Sequence, residues 1–144
     1  MGARLVIAVV LLVVAVIVAM IIERRRRPSV PSQGRDVVPH QLDRNDFPRP
    51  DAPWLVVLWS SSACESCAGL IDKLTPLESP DVAVVEIEYQ SNKPLHERYK
   101  IEAAPVTQVV DAQGVTQASF TGAFEAMELW TIVAALRDAT ATDS

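Results

Sequence analysis

A six-residue apolar run, Trp54-Leu55-Val56-Val57-Leu58-Trp59, constrains the fold more than any other segment. The run follows a proline, is rich in aliphatic residues and has no polar alternation, which predicts a strand buried on both faces. Such a strand lies inside a sheet that carries a layer on each side. Apolar residues make up 49% of the 144-residue chain, which is enough for that core and too many for a disordered chain.

The segments after this strand alternate between helical and extended patterns. Three helices are predicted from the spacing of apolar residues, over residues 64–77, 91–99 and 123–138. Three further strands are predicted, over residues 82–89, 104–110 and 115–120. The order β-α-β-α-β-β-α indicates an α/β fold in which helices flank both faces of a mixed central sheet, with parallel crossovers and a final antiparallel hairpin.

The chain begins with an apolar segment of a different kind. The 18 residues from Leu5 to Ile22 contain no charge, and as a helix they would extend roughly 27 Å, close to the ~30 Å hydrocarbon core of a bilayer. A cleaved signal peptide has a shorter apolar region and a small-residue cleavage site, whereas this run ends in Glu23 and four arginines. Residues 1–27 are therefore predicted to be an N-terminal transmembrane anchor with a basic flank.

Charge predicts the side of the membrane and excludes one class of partner. The arginines at 24–27 follow the apolar run, and this excess favours a cytoplasmic location for the rest of the chain. The alternative is an extracytoplasmic domain, since an N-terminal anchor also serves as an export signal. Residues 28–144 hold 8 basic and 17 acidic side chains, a net charge of −9, so nucleic acid is not expected as a partner.

A proline-rich segment separates the anchor from the regular pattern. Six of the ten prolines fall within residues 28–53, and proline fixes φ and lacks an N–H donor. This segment is predicted to be a linker whose later apolar residues could add an edge strand or pack along the flank of the domain. The domain itself is expected over residues 54–140, with a tail at 141–144.

Chemistry is predicted where the first strand passes into the first helix. Cys64-Glu65-Ser66-Cys67 places two thiols on one side of a first helical turn, where they can close a disulfide. A helix N-terminus stabilises a thiolate, so Cys64 is predicted to be the nucleophile and Cys67 the resolving thiol. The expected reaction is thiolate attack on a substrate disulfide, a mixed disulfide, and release by the second thiol.

Two other uses of the cysteine pair stay open. A zinc site needs three or four ligands, but the chain holds only these two cysteines and two widely separated histidines, His40 and His96. Two buried, unreactive cysteines are the other alternative, since free cysteine packs well in a core. The redox interpretation is favoured because a C-x-x-C beside a β-α-β pattern is its expected context, and it requires neither a metal nor an organic cofactor.

Residues 54–138 resemble the thioredoxin-like fold family. The similarity rests on the apolar strand before the C-x-x-C, the helix–strand–helix after it, and Ala104-Pro105-Val106-Thr107 opening the next strand. The resemblance implies that Pro105 is a cis-proline that faces the disulfide and shapes a substrate groove, and that the Ala104 backbone pairs with an extended substrate segment. Without the resemblance, Pro105 would be an ordinary proline at the start of a strand.

The residues around the cysteines depart from the thioredoxin pattern. Ala63 stands where the family usually has tryptophan, Glu65-Ser66 replaces the usual Gly-Pro, and the preceding strand lacks the family's buried aspartate. Glu65 opposes the helix dipole and should destabilise the thiolate, which favours a reductant over a strong oxidant. A solvated Glu65 without influence on the redox chemistry is the simpler alternative. Trp59 is expected to pack in the core or to line the site.

These features together predict a membrane-tethered thiol–disulfide oxidoreductase that reduces protein disulfides. Its partners would be a disulfide-bearing protein substrate, an electron-donor reductase, and the lipid bilayer through residues 5–22. A redox-silent binding or chaperone module of the same fold, or thiol-based metal handling, are the alternative functions.

Overall fold

A computed structural model describes residues 2–25 and 38–142, and the chain divides into two compact units, Met1–Val30 and Pro31–Ser144. In the first unit, helix α1 spans Gly2–Arg25. The predicted linker residues 28–37, the arginines at 26–27 and the last two residues lie outside the described residues.

The transmembrane helix predicted over residues 5–22 is not supported. Within the residues that the structure describes, no helix is both long enough and apolar enough to cross a membrane.

The second unit contains a four-stranded mixed sheet. Its strands are β1 (Trp54–Ser60), β2 (Val82–Glu88), β3 (Val106–Val110) and β4 (Thr116–Thr121). In the order β2-β1-β3-β4, strand β1 is parallel to β2 and antiparallel to β3, and β3 and β4 form an antiparallel hairpin. The mixed sheet and the sequence of elements are confirmed.

The connection from β1 to β2 is a parallel crossover, as expected, but the expectation of a second parallel crossover from β2 to β3 is wrong. Helix α3 (Lys93–Tyr99) has seven residues and extends only about 10 Å, whereas a strand of seven residues is roughly 23 Å long. The helix is too short to carry the chain back along the length of β2, so the chain stays at the end of the sheet at which β2 finishes. Strand β3 therefore starts at that end and runs antiparallel to β1.

The single helix predicted over residues 64–77 is also wrong. Glu65–Cys67 form one 3-10 turn, Ala68 is extended at φ −58° and ψ 130°, and Gly69 has φ +72°. A left-handed conformation suits glycine because it has no Cβ. Helix α2 begins only after this break and covers Leu70–Leu74, followed by a second 3-10 turn at Thr75–Leu77. The fourth helix, α4 (Ala126–Thr142), is continuous.

Strand β1 is buried on both faces, as the apolar run predicted. All seven of its residues are buried. Leu55, Val57 and Trp59 belong to a core cluster against which Leu95 and Tyr99 of α3 pack. Val56 and Leu58 point to the opposite face and are also fully buried. Helices α2 and α4 therefore lie on that face, and a hydrogen bond joins the two helices.

The segment predicted as a linker contributes to the same core. Four of its apolar side chains lie in the cluster with β1, namely Val38, Leu42, Phe47 and Ala52. Its backbone pairs with the turn before β4, since the N–H of Leu42 donates to the carbonyl of Gly114 at 2.8 Å and the N–H of Thr116 to that of His40 at 2.9 Å. Residues 38–52 therefore pack along the flank of the domain, and an isolated antiparallel bridge between Gln41 and Val115 takes the place of the expected edge strand.

We expect Gly114→Ala to destabilise the domain more than Gly122→Ala. Both glycines have positive φ, +84° and +88°, where alanine costs about 1–2 kcal/mol. At Gly114 an added Cβ would also overlap the carbonyl oxygen of Leu42, whereas at Gly122 nothing lies within 4 Å. Urea unfolding should show the larger loss at Gly114, and equal losses would contradict this docking of residues 38–52.

Candidate active site

The two cysteines are joined by a disulfide just after the C-terminal end of β1. The Cα atoms of Cys64 and Cys67 lie 5.4 Å apart. The side chain of Cys67 is only 7% exposed, whereas Cys64 is half-buried. An approaching molecule can therefore reach the sulfur of Cys64 more easily than that of Cys67, which is the asymmetry that a nucleophile and a resolving thiol require.

The chain brings Pro105 beside this disulfide. The Ala104–Pro105 peptide bond is cis, the form that the resemblance implied. The carbonyl oxygen of Ala104 lies 3.6 Å from Cys64 Sγ, although the two residues are 40 positions apart. A disulfide sulfur carries no proton, so this pair can form a hydrogen bond only after reduction, with the Cys64 thiol as donor.

A groove of about 710 Å³ opens beside Cys64. Its walls come from three places along the chain: Ser60, Ser61, Ala63 and Cys64 at and after the end of β1, Tyr89 after β2, and His96, Glu97, Lys100, Ile101, Glu102, Ala103 and Ala104 in and after α3. This volume is typical of ligand-binding clefts. Ala104 is an exposed residue on its wall, within reach of a bound segment.

The residues predicted to neighbour the cysteines differ in their contact with the site. Ala63 lines the groove, and Glu65 is exposed on the 3-10 turn. Ser66 places its hydroxyl oxygen 3.3 Å from Cys64 Sγ. Trp59 does not line the groove, because it is fully buried and its indole N–H donates to Gln108 Oε1 at 2.7 Å. Of the two expectations for Trp59, packing in the core is confirmed and lining the site is not.

Glu88 supports the loop that carries Cys64, and sequence reasoning missed it. Its carboxylate accepts hydrogen bonds from the backbone N–H groups of Ser62, Gln90 and Ser91 at 3.1, 3.1 and 2.9 Å. Desolvation acts to raise the pKa of Glu88, but these backbone hydrogen bonds outweigh it and lower the pKa below its ordinary value. The alternation at the end of β2 could not reveal this role, because Ser62 approaches Glu88 only in the folded chain.

His96 forms part of the groove and is itself buried, with 3% exposure. Its Nε2–H donates to the carbonyl of Ile87 at 2.9 Å, and its ring lies edge-to-face against Trp59 and Tyr89, with centroids 5.0 and 5.2 Å apart. The imidazole thus fixes α3 to the end of β2. In the described part of the chain, no three His, Cys, Asp or Glu side chains come together as a group that could hold a metal ion.

The mixed sheet, the disulfide after its inner strand and the cis-proline beside that disulfide define a thioredoxin-like fold. No protein-family model matches the chain, and no curated protein matches it. Solved structures of thioredoxins do match, and three of them cover 58–61% of the chain.

Three of these structures have a TM-score of 0.51. Deadhead, a germline-specific thioredoxin from Drosophila melanogaster, is 26% identical, with 60% of this chain and 84% of Deadhead covered. Thioredoxin O2 from Arabidopsis thaliana in its oxidised state is 18% identical, with 61% and 78% covered. A thioredoxin variant from Halobacterium salinarum is 20% identical, with 58% and 74% covered. The shared fold and the C-x-x-C pair support thiol–disulfide oxidoreductase activity.

We expect Glu88→Gln to destabilise the domain in a pH-dependent way. Because the folded state lowers the pKa of Glu88, its carboxylate contributes stability above the unfolded pKa, and this contribution is lost as the pH falls through the folded pKa. Urea midpoints should differ between the variant and the parent at pH 7 and converge in acid. Glu86→Gln is the control, since Glu86 accepts only from the Ser60 hydroxyl among the hydrogen bonds described. A difference that persists unchanged in acid would contradict the role of Glu88.

Proposed function

We propose that this protein is a thiol–disulfide oxidoreductase that reduces disulfides in protein substrates. One observation carries the proposal: the more accessible sulfur of the Cys64–Cys67 disulfide opens onto a groove whose wall includes the Ala104 backbone. An extended substrate segment bound there would present its own disulfide to Cys64. In this proposal Cys64 is the nucleophile, Cys67 is the resolving thiol, and Ala104 and Pro105 bind the substrate.

The reaction starts from the reduced dithiol. The Cys64 thiolate attacks one substrate sulfur, which forms a mixed disulfide and releases the other substrate sulfur as a thiolate. Cys67 then loses its proton and attacks Cys64 Sγ, which forms the Cys64–Cys67 disulfide and releases the second substrate thiolate. The substrate gains two electrons and two protons, and the dithiol loses them. A thiol or dithiol reductase must then return two electrons to the protein.

The surroundings of Cys64 favour the reducing direction. A stabilised thiolate makes a strong oxidant, because the reduced form is then favoured. Here the turn after Cys64 has three residues instead of an α-helix, Glu65 adds a nearby carboxylate, and the Ala104 carbonyl faces the sulfur. All three features weaken thiolate stabilisation relative to a long helix with a neutral first turn.

Replacement of each cysteine by serine tests the assignment of roles. We expect Cys64→Ser to abolish reduction of insulin disulfides, because the attacking thiol is missing. Cys67→Ser should accumulate a mixed disulfide between Cys64 and the substrate, detectable by non-reducing electrophoresis and mass spectrometry. Retention of turnover by Cys64→Ser would contradict the assignment of Cys64 as the nucleophile. A folded reduced protein whose Cys64 does not react with an alkylating reagent near pH 7 would favour the redox-silent binding module instead.

We also propose that the domain is tethered to a membrane through residues 5–22 and lies on its cytoplasmic side. The support is in the sequence: an uninterrupted run of 18 apolar residues followed by arginines at 24–27. A helix of this composition has apolar side chains on every face and no polar face to turn toward water.

Fractionation and thiol labelling test the tether and its orientation. We expect the full-length protein to stay with membranes after alkaline carbonate extraction, and reduced Cys64 to resist a membrane-impermeant thiol reagent in intact cells. The same reagent should label Cys64 after the cells are permeabilised. Release into the carbonate supernatant would refute the tether, and labelling in intact cells would place the domain outside.

A further inference from the structure

Short side chains line the groove next to Cys64. Ala63 directly precedes Cys64, and Ala103 and Ala104 lie in the segment that forms another part of the wall. Ala63 stands where thioredoxins usually have tryptophan, and its side chain ends at Cβ. Because the wall next to the sulfur is built from such short side chains, the groove of about 710 Å³ leaves space for a bulky side chain of a bound segment beside Cys64.

An exposed aromatic ring lines the same groove. Among the described residues of the second unit, the large apolar side chains left exposed are Tyr89, Val115 and Met127, and of these three Tyr89 lines the groove. The Tyr89 ring is 37% exposed. It is held edge-to-face against the His96 ring, with centroids 5.2 Å apart, and Lys93 Nζ lies 5.9 Å from its centroid. A fixed ring of this kind offers apolar area that a bound side chain can cover.

The charges around the groove favour one kind of occupant. Glu97, Lys100 and Glu102 are exposed on its wall, and Glu65 is exposed on the turn after Cys64. In the described part of the chain, no ion pair involves any of these four side chains. Three carboxylates and one ammonium group give a net charge of −2, which disfavours a small disulfide that carries carboxylates. A protein segment can instead present apolar and basic residues to the groove.

We propose that the groove selects protein disulfides in which a bulky apolar side chain flanks the reactive cysteine, and that the short side chain of Ala63 permits this selection. The inference rests on the proposed function and adds the class of substrate. The reaction remains the thiol–disulfide exchange described above, so it needs no further reactant. The bound side chain lies against the exposed ring of Tyr89 and the mostly buried Ile101, and its segment extends toward Ala104.

Single-turnover reduction of two synthetic disulfides tests this selection. Each is a disulfide-linked dimer of a short, lysine-containing peptide, whose one cysteine is flanked by phenylalanine in one dimer and by alanine in the other. Reduced full-length protein is mixed with each dimer, or with glutathione disulfide, over a range of concentrations, and the released thiol is measured after acid quenching. Ala63→Trp fills the groove, whereas Ala112→Trp adds the same side chain at an exposed turn residue outside the groove.

We expect the parent to reduce the phenylalanine dimer about ten-fold faster than the alanine dimer at low concentration, the ratio that burial of a phenylalanine side chain supports. The rates should approach each other at saturation, because the groove acts on binding. Glutathione disulfide should react more slowly than the phenylalanine dimer. Ala63→Trp should bring the ratio of the two peptide rates close to one, and Ala112→Trp should keep the ratio of the parent.

A second pair of variants makes the test independent of the tryptophan substitutions. Tyr89→Ala should lower the preference for the phenylalanine dimer, and Tyr89→Phe, which keeps the ring, should retain it. Equal rates for the two peptide dimers, a preference that survives both Ala63→Trp and Tyr89→Ala, or a faster reaction with glutathione disulfide would overturn the inference. A parent that reduces none of the three disulfides would refute the proposed function itself.

Discussion

The antiparallel pairing of β1 with β3 is the constraint on which the site depends. Trp59, near the end of β1, pairs with Val106, the first residue of β3. In an antiparallel pair the residue after Trp59 lies beside the residue before Val106, so the chain that leads to Cys64 passes Pro105. The disulfide and the cis-proline are brought together by this register.

The rigid surroundings of the groove come from elements that are distant in sequence. Trp59 lies at the centre of an aromatic cluster, with ring centroids 6.1 Å from Phe47, 5.8 Å from Tyr99 and 5.0 Å from His96. The Tyr99 hydroxyl also hydrogen-bonds to Asp46. The cluster therefore connects residues 38–52, β1 and α3 into one packed layer, and α3 forms one wall of the groove. A domain lacking residues 38–52 would lose part of the support of that wall.

The groups around Cys64 have opposite effects on its thiolate form. The short turn after Cys64, the Glu65 carboxylate and the Ala104 carbonyl all disfavour a thiolate, whereas the Ser66 hydroxyl favours it. Glu88 holds the preceding loop through the N–H of Ser62, so the position of Cys64 is set from both sides. Among the hydrogen bonds described, the polar atoms that contact Cys64 Sγ are the Ser66 hydroxyl and the Ala104 carbonyl.

The sequence by itself determined the buried strand β1, the order of elements, and the cysteine pair at the end of that strand. These features are local, because the spacing of apolar residues along the chain predicts which residues are buried and in which kind of element. The family resemblance identified Pro105. The tertiary structure decided which way β3 runs, that residues 38–52 join the core, and that Glu88 accepts a hydrogen bond from the loop before Cys64. Each of these depends on atoms that approach one another only when the chain folds, or on a backbone break such as Gly69 that apolar spacing does not register. Periodicity reports which residues are buried, whereas hydrogen-bond partners across the fold follow from where the elements pack.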